Sequence, residues 1–198
     1  DLGCVSNDSS SDNNPPRGGG GIFANVRSVS VTDSAISNNK AIRNGGGIDA
    51  PMNGNGFALI LDKTTITGNS AGYQGGGVFT RSQLTLRNGT EITGNRLTTN
   101  TVENCAGVYL SNSRTLFIGF SAATEGQSDT IIVRGNTTIN NTLSDLRLWE
   151  DSGQNKDTSV YVYCNLTNDS EIRVVNAEKA GTWFGNAEYA LTNGFSDD

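Results

Sequence analysis

The feature that most constrains this chain is a glycine triplet followed by Ile or Val, recurring about every 30 residues. "GGGIFA" runs from Gly19 to Ala24, "GGGIDA" from Gly45 to Ala50 and "GGGVFT" from Gly75 to Thr80. A drifted fourth copy, "CAGVYL", begins at Cys105. The residues after each triplet, Ile22, Ile48, Val78 and Val108, lie 26, 30 and 30 apart. Glycine beside a short β-type segment costs conformational entropy. A cost repeated at a fixed period implies a repeated structural reason, and a period of this length indicates a stacked array.

Each block carries three β-like pieces. The first is the G-I/V segment itself. The second is a period-2 apolar pair: Val29/Val31, Leu59/Leu61, Leu84/Leu86 and, in the fourth block, Ile131/Val133. The third is a single Ile: Ile36, Ile66, Ile92 and Ile139. Alternation this brief predicts strands of a few residues, which must stack on their copies to survive. No apolar stripe of helical period interrupts the pattern. Two positions after each third-strand Ile stand Asn38, Gly68, Gly94 and Asn141, the two residue types that best tolerate a left-handed corner. Three positions after stand Asn39, Asn69 and Asn95, placed to form a stacked amide ladder.

The triplet then supplies another corner, where φ is positive or a Cβ would not fit. A phosphate-cradling loop would need a following helix and, for a Walker motif, G-K-[ST]; neither is present. Nor is "GGGID" the calcium-binding G-G-x-G-x-D repeat. Cys105 in place of the first glycine points to a different corner in the fourth block. The expected organisation is a polar extended tail over 1–17, β-solenoid repeats over 18–145, and a β-rich, aromatic closing segment over 146–198.

Composition narrows the chemistry. The net charge is -6 with 14 Lys and Arg, which argues against nucleic acid as a partner. No apolar run is long enough for a spanning helix. Histidine is absent, removing the commonest general base and metal ligand. The three cysteines lack any C-x-x-C spacing, so no zinc site, and no cofactor, is expected. With Cys4 in the polar tail, Cys105 and Cys164 are the candidate disulfide. The chain starts at Asp1 without Met, as a mature chain with its leader removed would. Six N-x-S/T sequons occur, at Asn7, Asn88, Asn136, Asn140, Asn165 and Asn168. With 24 Asn and 40 Ser plus Thr, chance placement gives about 5, so their number carries no weight and their positions must.

At "GGGV…LTL..GTEITGN" the sequence resembles the right-handed parallel β-helix repeats of bacterial surface proteins. These include the chlamydial polymorphic outer-membrane proteins, with GGAI and FxxN motifs, and Gly- and Asn-rich β-helix surface proteins. The resemblance covers residues 18–176, including "VYVYCNLTNDSEIRVV" near its end. It implies an all-β, right-handed parallel β-helix of about 3–5 coils and an extracellular or cell-surface location. No translocating barrel follows in this sequence, so self-secretion is not implied.

The leading functional expectation is a non-enzymatic structural protein whose copies join head to tail into a filament or appendage. Strand edges or the inserted tail would make the contact, with Leu2, Val5, Trp183, Phe184 and Phe195 as candidate interface residues. Glycans at Asn88, Asn136, Asn140, Asn165 or Asn168 would coat the sides. The alternative is an adhesin or glycan-binding module using Tyr73, Phe79 and Tyr109. A polysaccharide lyase or hydrolase ranks last. Asp33, Asp49 and Asp62 occupy non-equivalent positions, and no facing carboxylate pair can be named.

Overall fold

The computed structural model describes residues 5–6, 18–54, 56–101, 104–111, 115–119, 127–148, 159–174 and 195–197. Its strands, numbered β1 to β22 along the chain, stack into the parallel faces of a β-solenoid. The first face holds β2 (Ile22–Phe23), β6 (Ile48–Ala50), β10 (Val78–Thr80), β14 (Val108–Leu110) and β18 (Leu146–Leu148). The second holds β3 (Ser28–Thr32), β7 (Ala58–Asp62), β11 (Gln83–Arg87), β15 (Leu116–Ile118) and β19 (Val160–Val162). The third holds β4 (Ala35–Ser37), β8 (Thr65–Thr67), β12 (Glu91–Thr93), β17 (Ile132–Arg134) and β21 (Glu171–Val174). A short fourth stack, β1 (Val5–Ser6), β5 (Lys40–Ala41), β9 (Ser70–Ala71) and β13 (Arg96–Leu97), runs along one corner. Finally, β16 (Ser128–Asp129) pairs β20 (Asn165–Leu166), and β22 (Phe195–Asp197) pairs β21.

Register turns the sequence repeat into columns of like side chains. Val29, Leu59, Leu84, Leu116 and Val160 lie one above another, as do Val31, Leu61, Leu86, Ile118 and Val162. Ile36, Ile66, Ile92, Val133 and Ile172 form the third-face column. Ile22, Ile48, Val78, Val108 and Leu146 form that of the first face. All point into one continuous apolar core. Each buried side chain of this size contributes about 1.5–3 kcal/mol, so strands too short to persist alone are held by their columns.

One sequence expectation, the strand assignment of the fourth coil, is corrected here. The second-face strand of the fourth coil is Leu116–Ile118, not the Ile131/Val133 pair. Val133 belongs to the third face, opposite Ile92, and Ile139 is 45% exposed. The residues between Ile118 and Ile132 lengthen this coil and shift the apparent repeat. In addition, Leu146–Leu148, Val160–Val162 and Glu171–Val174 continue the three faces as the strands of a fifth coil. At this end the first and third faces meet, with Leu146 opposite Val174.

The glycine triplet is explained position by position. Gly75 has φ +62°, the left-handed value that turns the chain into the first face. A Cβ on Gly76 would lie 2.5 Å from the Ala106 carbonyl oxygen of the next coil. One on Gly77 would lie 2.8 Å from the Gly107 oxygen and 2.9 Å from Asn95 Nδ2. The fourth corner is therefore not different in kind: Cys105 adopts φ +46° at the place of Gly75. Its side chain packs with Phe79 and Tyr109 on the outside of the first face, burial that offsets the left-handed strain.

Candidate functional site: the asparagine ladder and the strand edges

The ladder follows from the corner between the third and fourth stacks. Asn39 Nδ2 donates to Asn69 Oδ1 (3.0 Å), Asn69 Nδ2 to Asn95 Oδ1 (3.0 Å) and Asn95 Nδ2 to Asn136 Oδ1 (2.9 Å). Each acceptor oxygen also takes the backbone N–H of the Asn before it, at 3.0 Å throughout. Each Nδ2 from Asn69 onward also reaches a strand carbonyl: Ile36, Ile66 and Ile92 in turn. The amides thus point the same way along the axis and polarise one another.

Sequence reasoning missed the last two members. Asn136 follows Val133 by three positions, as Asn95 follows Ile92. Asp145 then ends the series, its Oδ1 accepting from Asn136 N and Nδ2 at 2.6 Å. A carboxylate at the acceptor end suits a file of amide donors. Asp145 stands where Gly107 stands one coil earlier, because Val108 N bonds the Asp145 carbonyl as Val78 N bonds that of Gly107. A second side-chain file lies at the corner between the second and third faces. Thr64 Oγ1 donates to the Val31 and Asp62 carbonyls, and Thr90 Oγ1 to those of Leu61 and Arg87.

The first coil exposes backbone at one end of the solenoid. Ala58 N bonds Arg27 O, and Asp33 N bonds Asp62 O, bracketing β3. Parallel pairing alternates, so Val29 and Val31 face β7 while Ser28, Ser30 and Thr32 turn their N–H and C=O to the other side. The same logic leaves Phe23 of β2 and Ala35 and Ser37 of β4 facing outward. Among the described residues, β2, β3 and β4 are each the last strand of their stack. Ile22 and Val29 are only half-buried, whereas Ile48 and Leu59 above them are fully buried. At the opposite end β19 is the last strand of the second face, but Val160 and Val162 are buried.

The predicted interface residues fall as follows. Val5 lies in β1, paired with Lys40 of its own chain. Phe195 lies in β22, opposite Ile172. Leu2, Trp183 and Phe184 lie outside the described residues.

The expected Cys105–Cys164 disulfide is not formed. Both are free buried thiols, Cys164 inside the main core and Cys105 outside the first face. Burial pushes each thiol up to about 12. Phe79 and Tyr109, offered above to a sugar, are instead a buried stack with centroids 5.7 Å apart. Burial likewise pushes the Tyr109 phenol up to about 12. Tyr73 remains exposed, with Arg43 over its ring. The outward aromatic group that sequence reading overlooked is Phe117, Tyr161 and Tyr163, half-buried on the second face with centroids 5.6–6.2 Å apart.

Asn136 is also corrected as a glycan acceptor: it is fully buried and its amide nitrogen is spent in the ladder. Asn88 Nδ2 donates to Asp62 Oδ1 at 2.7 Å, while Asn140, Asn165 and Asn168 are exposed. The three aspartates stay apart in role. Asp62 pairs with Arg87, Asp33 with Lys63 at the surface, and Asp49 is buried on the first face. Among the described residues no group of three or more Cys, Asp and Glu is arranged to hold a metal ion.

No curated protein and no solved structure matches the chain. Residues 63–81 match the family model of the Chlamydia polymorphic membrane protein repeat. They hold β8, the ladder residue Asn69, β9, the triplet Gly75–Gly76–Gly77 and β10. The chain is therefore a stack of coils of which one is similar, from ladder to glycine corner, to the Chlamydia polymorphic membrane protein repeat.

Proposed function

We propose that this chain is a non-enzymatic structural protein of the cell surface whose copies associate end to end through strand edges. The surface location is supported by the likeness of residues 63–81 to a repeat of membrane proteins. Self-association is supported by the first coil, where β2, β3 and β4 end their stacks with backbone groups turned outward. Such edges are templates for another chain. The half-buried Ile22 and Val29 would be covered by the same contact.

Ser30→Pro tests this reading. Ser30 sits mid-strand with its N–H directed away from β7, so proline removes a donor from the outer edge alone. Electron microscopy and sedimentation of the wild-type protein should show end-to-end particles. Those of Ser30→Pro should be single, with urea unfolding close to wild type. Deletion of residues 1–17 removes β1 and reports separately on the tail. Wild-type protein that stays monomeric at high concentration would refute the reading.

The half-buried stack of Phe117, Tyr161 and Tyr163 favours a second reading, a glycan-binding module. Binding to immobilised polysaccharides that Tyr161→Ala abolishes would support it, and monomeric behaviour would accompany it.

A further inference from the structure

The fold treats the described sequons very differently. An N-linked acceptor needs an accessible amide, an accessible hydroxyl two residues on, and backbone free to enter a transferase. In Asn88–Thr90 the threonine is fully buried and donates to the Leu61 carbonyl. In Asn136–Thr138 both residues are fully buried. Asn165 is exposed, but its backbone lies in β20 beside Ser128, and Thr167 Oγ1 is 2.7 Å from Thr130 Oγ1. Asn168 is exposed, but Ser170 is buried, its hydroxyl accepting from Ile131 N and donating to Asp129 O.

Among the described sequons, Asn140 alone meets every condition. Residues 139–143 are five consecutive exposed positions, so the asparagine and Thr142 both face solvent. They form the tip of a tight turn. Thr138 N bonds Thr142 O (2.9 Å), Asn141 N bonds Thr138 O (3.0 Å), and Asn141 takes the left-handed φ of +61°. Thr137 and Leu143 bridge the base of the turn, and Arg96 Nη2 holds the Ile139 carbonyl from the coil below at 2.6 Å. A second observation points to an occupant at the tip. Ile139 and Leu143, on either side of the sequon, are 45% and 36% exposed and are among the few large apolar side chains left in water. The C–H face of a sugar on Asn140 would cover them.

We infer that, among the described sequons of the folded protein, Asn140 on the flank of the fourth coil is the N-linked glycosylation site. A nucleotide-activated hexose can serve as the donor. Asn140 Nδ2 forms a bond to sugar C1, the C1–O bond to the diphosphate breaks, the nucleoside diphosphate leaves, and the amide proton passes to a base of the transferase. The site is independent of end-to-end association, because it lies away from the β2, β3 and β4 edges.

The test uses the full chain, folded, with a soluble asparagine glucosyltransferase and UDP-glucose. Asn7, outside the described residues, is replaced in the background by Asn7→Gln. Peptide mapping should find one hexose, at Asn140, and none in Asn140→Gln. The same chain unfolded in urea before dilution into the assay should accept hexose at further sequons. A folded chain left unmodified at Asn140, or modified at Asn88, Asn136, Asn165 or Asn168, would overturn the inference.

Discussion

Asn95→Ala tests the ladder at its centre. Asn95 Oδ1 accepts from the backbone N–H and from Nδ2 of Asn69, both at 3.0 Å, and its Nδ2 donates to Ile66 O and Asn136 Oδ1 at 2.9 Å. Alanine leaves the Asn69 N–H without its acceptor in a fully buried place. One orphaned buried donor costs about 1–3 kcal/mol, and three further bonds lost at about 1 kcal/mol each bring the expected loss to about 4–6 kcal/mol. Asn39→Ala is the internal comparison. Asn39 is half-buried, and Asn69 Oδ1 keeps the Asn39 backbone N–H, so the loss there should stay near 1 kcal/mol or below.

Urea denaturation followed by far-UV circular dichroism measures both, with slopes compared to exclude a change in the unfolded state. Asn95→Asp adds a pH signature. A carboxyl there keeps one oxygen on the two Asn69 donors, but its other oxygen meets the Ile66 carbonyl and the Asn136 side-chain oxygen, and full burial together with these two acceptors raises its folded pKa above the unfolded one. The protonated form can donate, so stability should be higher in acid and fall as pH rises through the folded pKa. If Asn95→Ala costs no more than Asn39→Ala, the ladder is not a source of stability and the argument fails.

Three further predictions concern the corners, the thiols and the core. Gly77→Ala should cost several times more than Gly89→Ala in urea melts. Both positions are glycine, but the added methyl at Gly77 meets the next coil while at Gly89, φ +77°, it meets nothing within 4 Å and costs only the left-handed penalty of about 1 kcal/mol. Cys105 and Cys164 should resist alkylation at pH 8 in the folded protein and react on unfolding, as mass spectrometry would show. Because both thiols are pushed from 9.0 to about 12, the unfolded chain loses their protons first, so stability should fall as pH rises above about 9; an unchanged urea midpoint at pH 10.5 would contradict this. Leu86→Ala, fully buried mid-column between Leu61 and Ile118, should cost about 2–5 kcal/mol, and Val31→Ala in the less sealed first coil clearly less.

The parts of this fold that sequence made legible are those where one side chain must match its copy above. Leu59, Leu84 and their partners announce themselves because a column tolerates little variation, and the triplets do so because backbone crowding excludes a Cβ. Legibility failed at the fourth coil. Residues between Ile118 and Ile132 separate its second and third strands, and Ile139 with Asn141 imitated the expected corner. A better signal was present: Val133, Gly135 and Asn136 repeat the spacing of Ile92, Gly94 and Asn95, and Gly135 has φ +67°. Asp145 could not be read this way, since it stands at the place of Gly107 in the glycine corner and not at an Asn position of the repeat. The same reasoning explains why function is harder to read than fold. Columns repeat because every coil meets the same neighbours, whereas a site on the flank or at an end is met by no copy of itself. Asn140, Ser30 and the Phe117–Tyr161–Tyr163 stack are each singular in the sequence. Only the register, by placing them at a turn tip, an outer edge and an outward row, distinguishes them from the many Asn, Ser and aromatic residues around them.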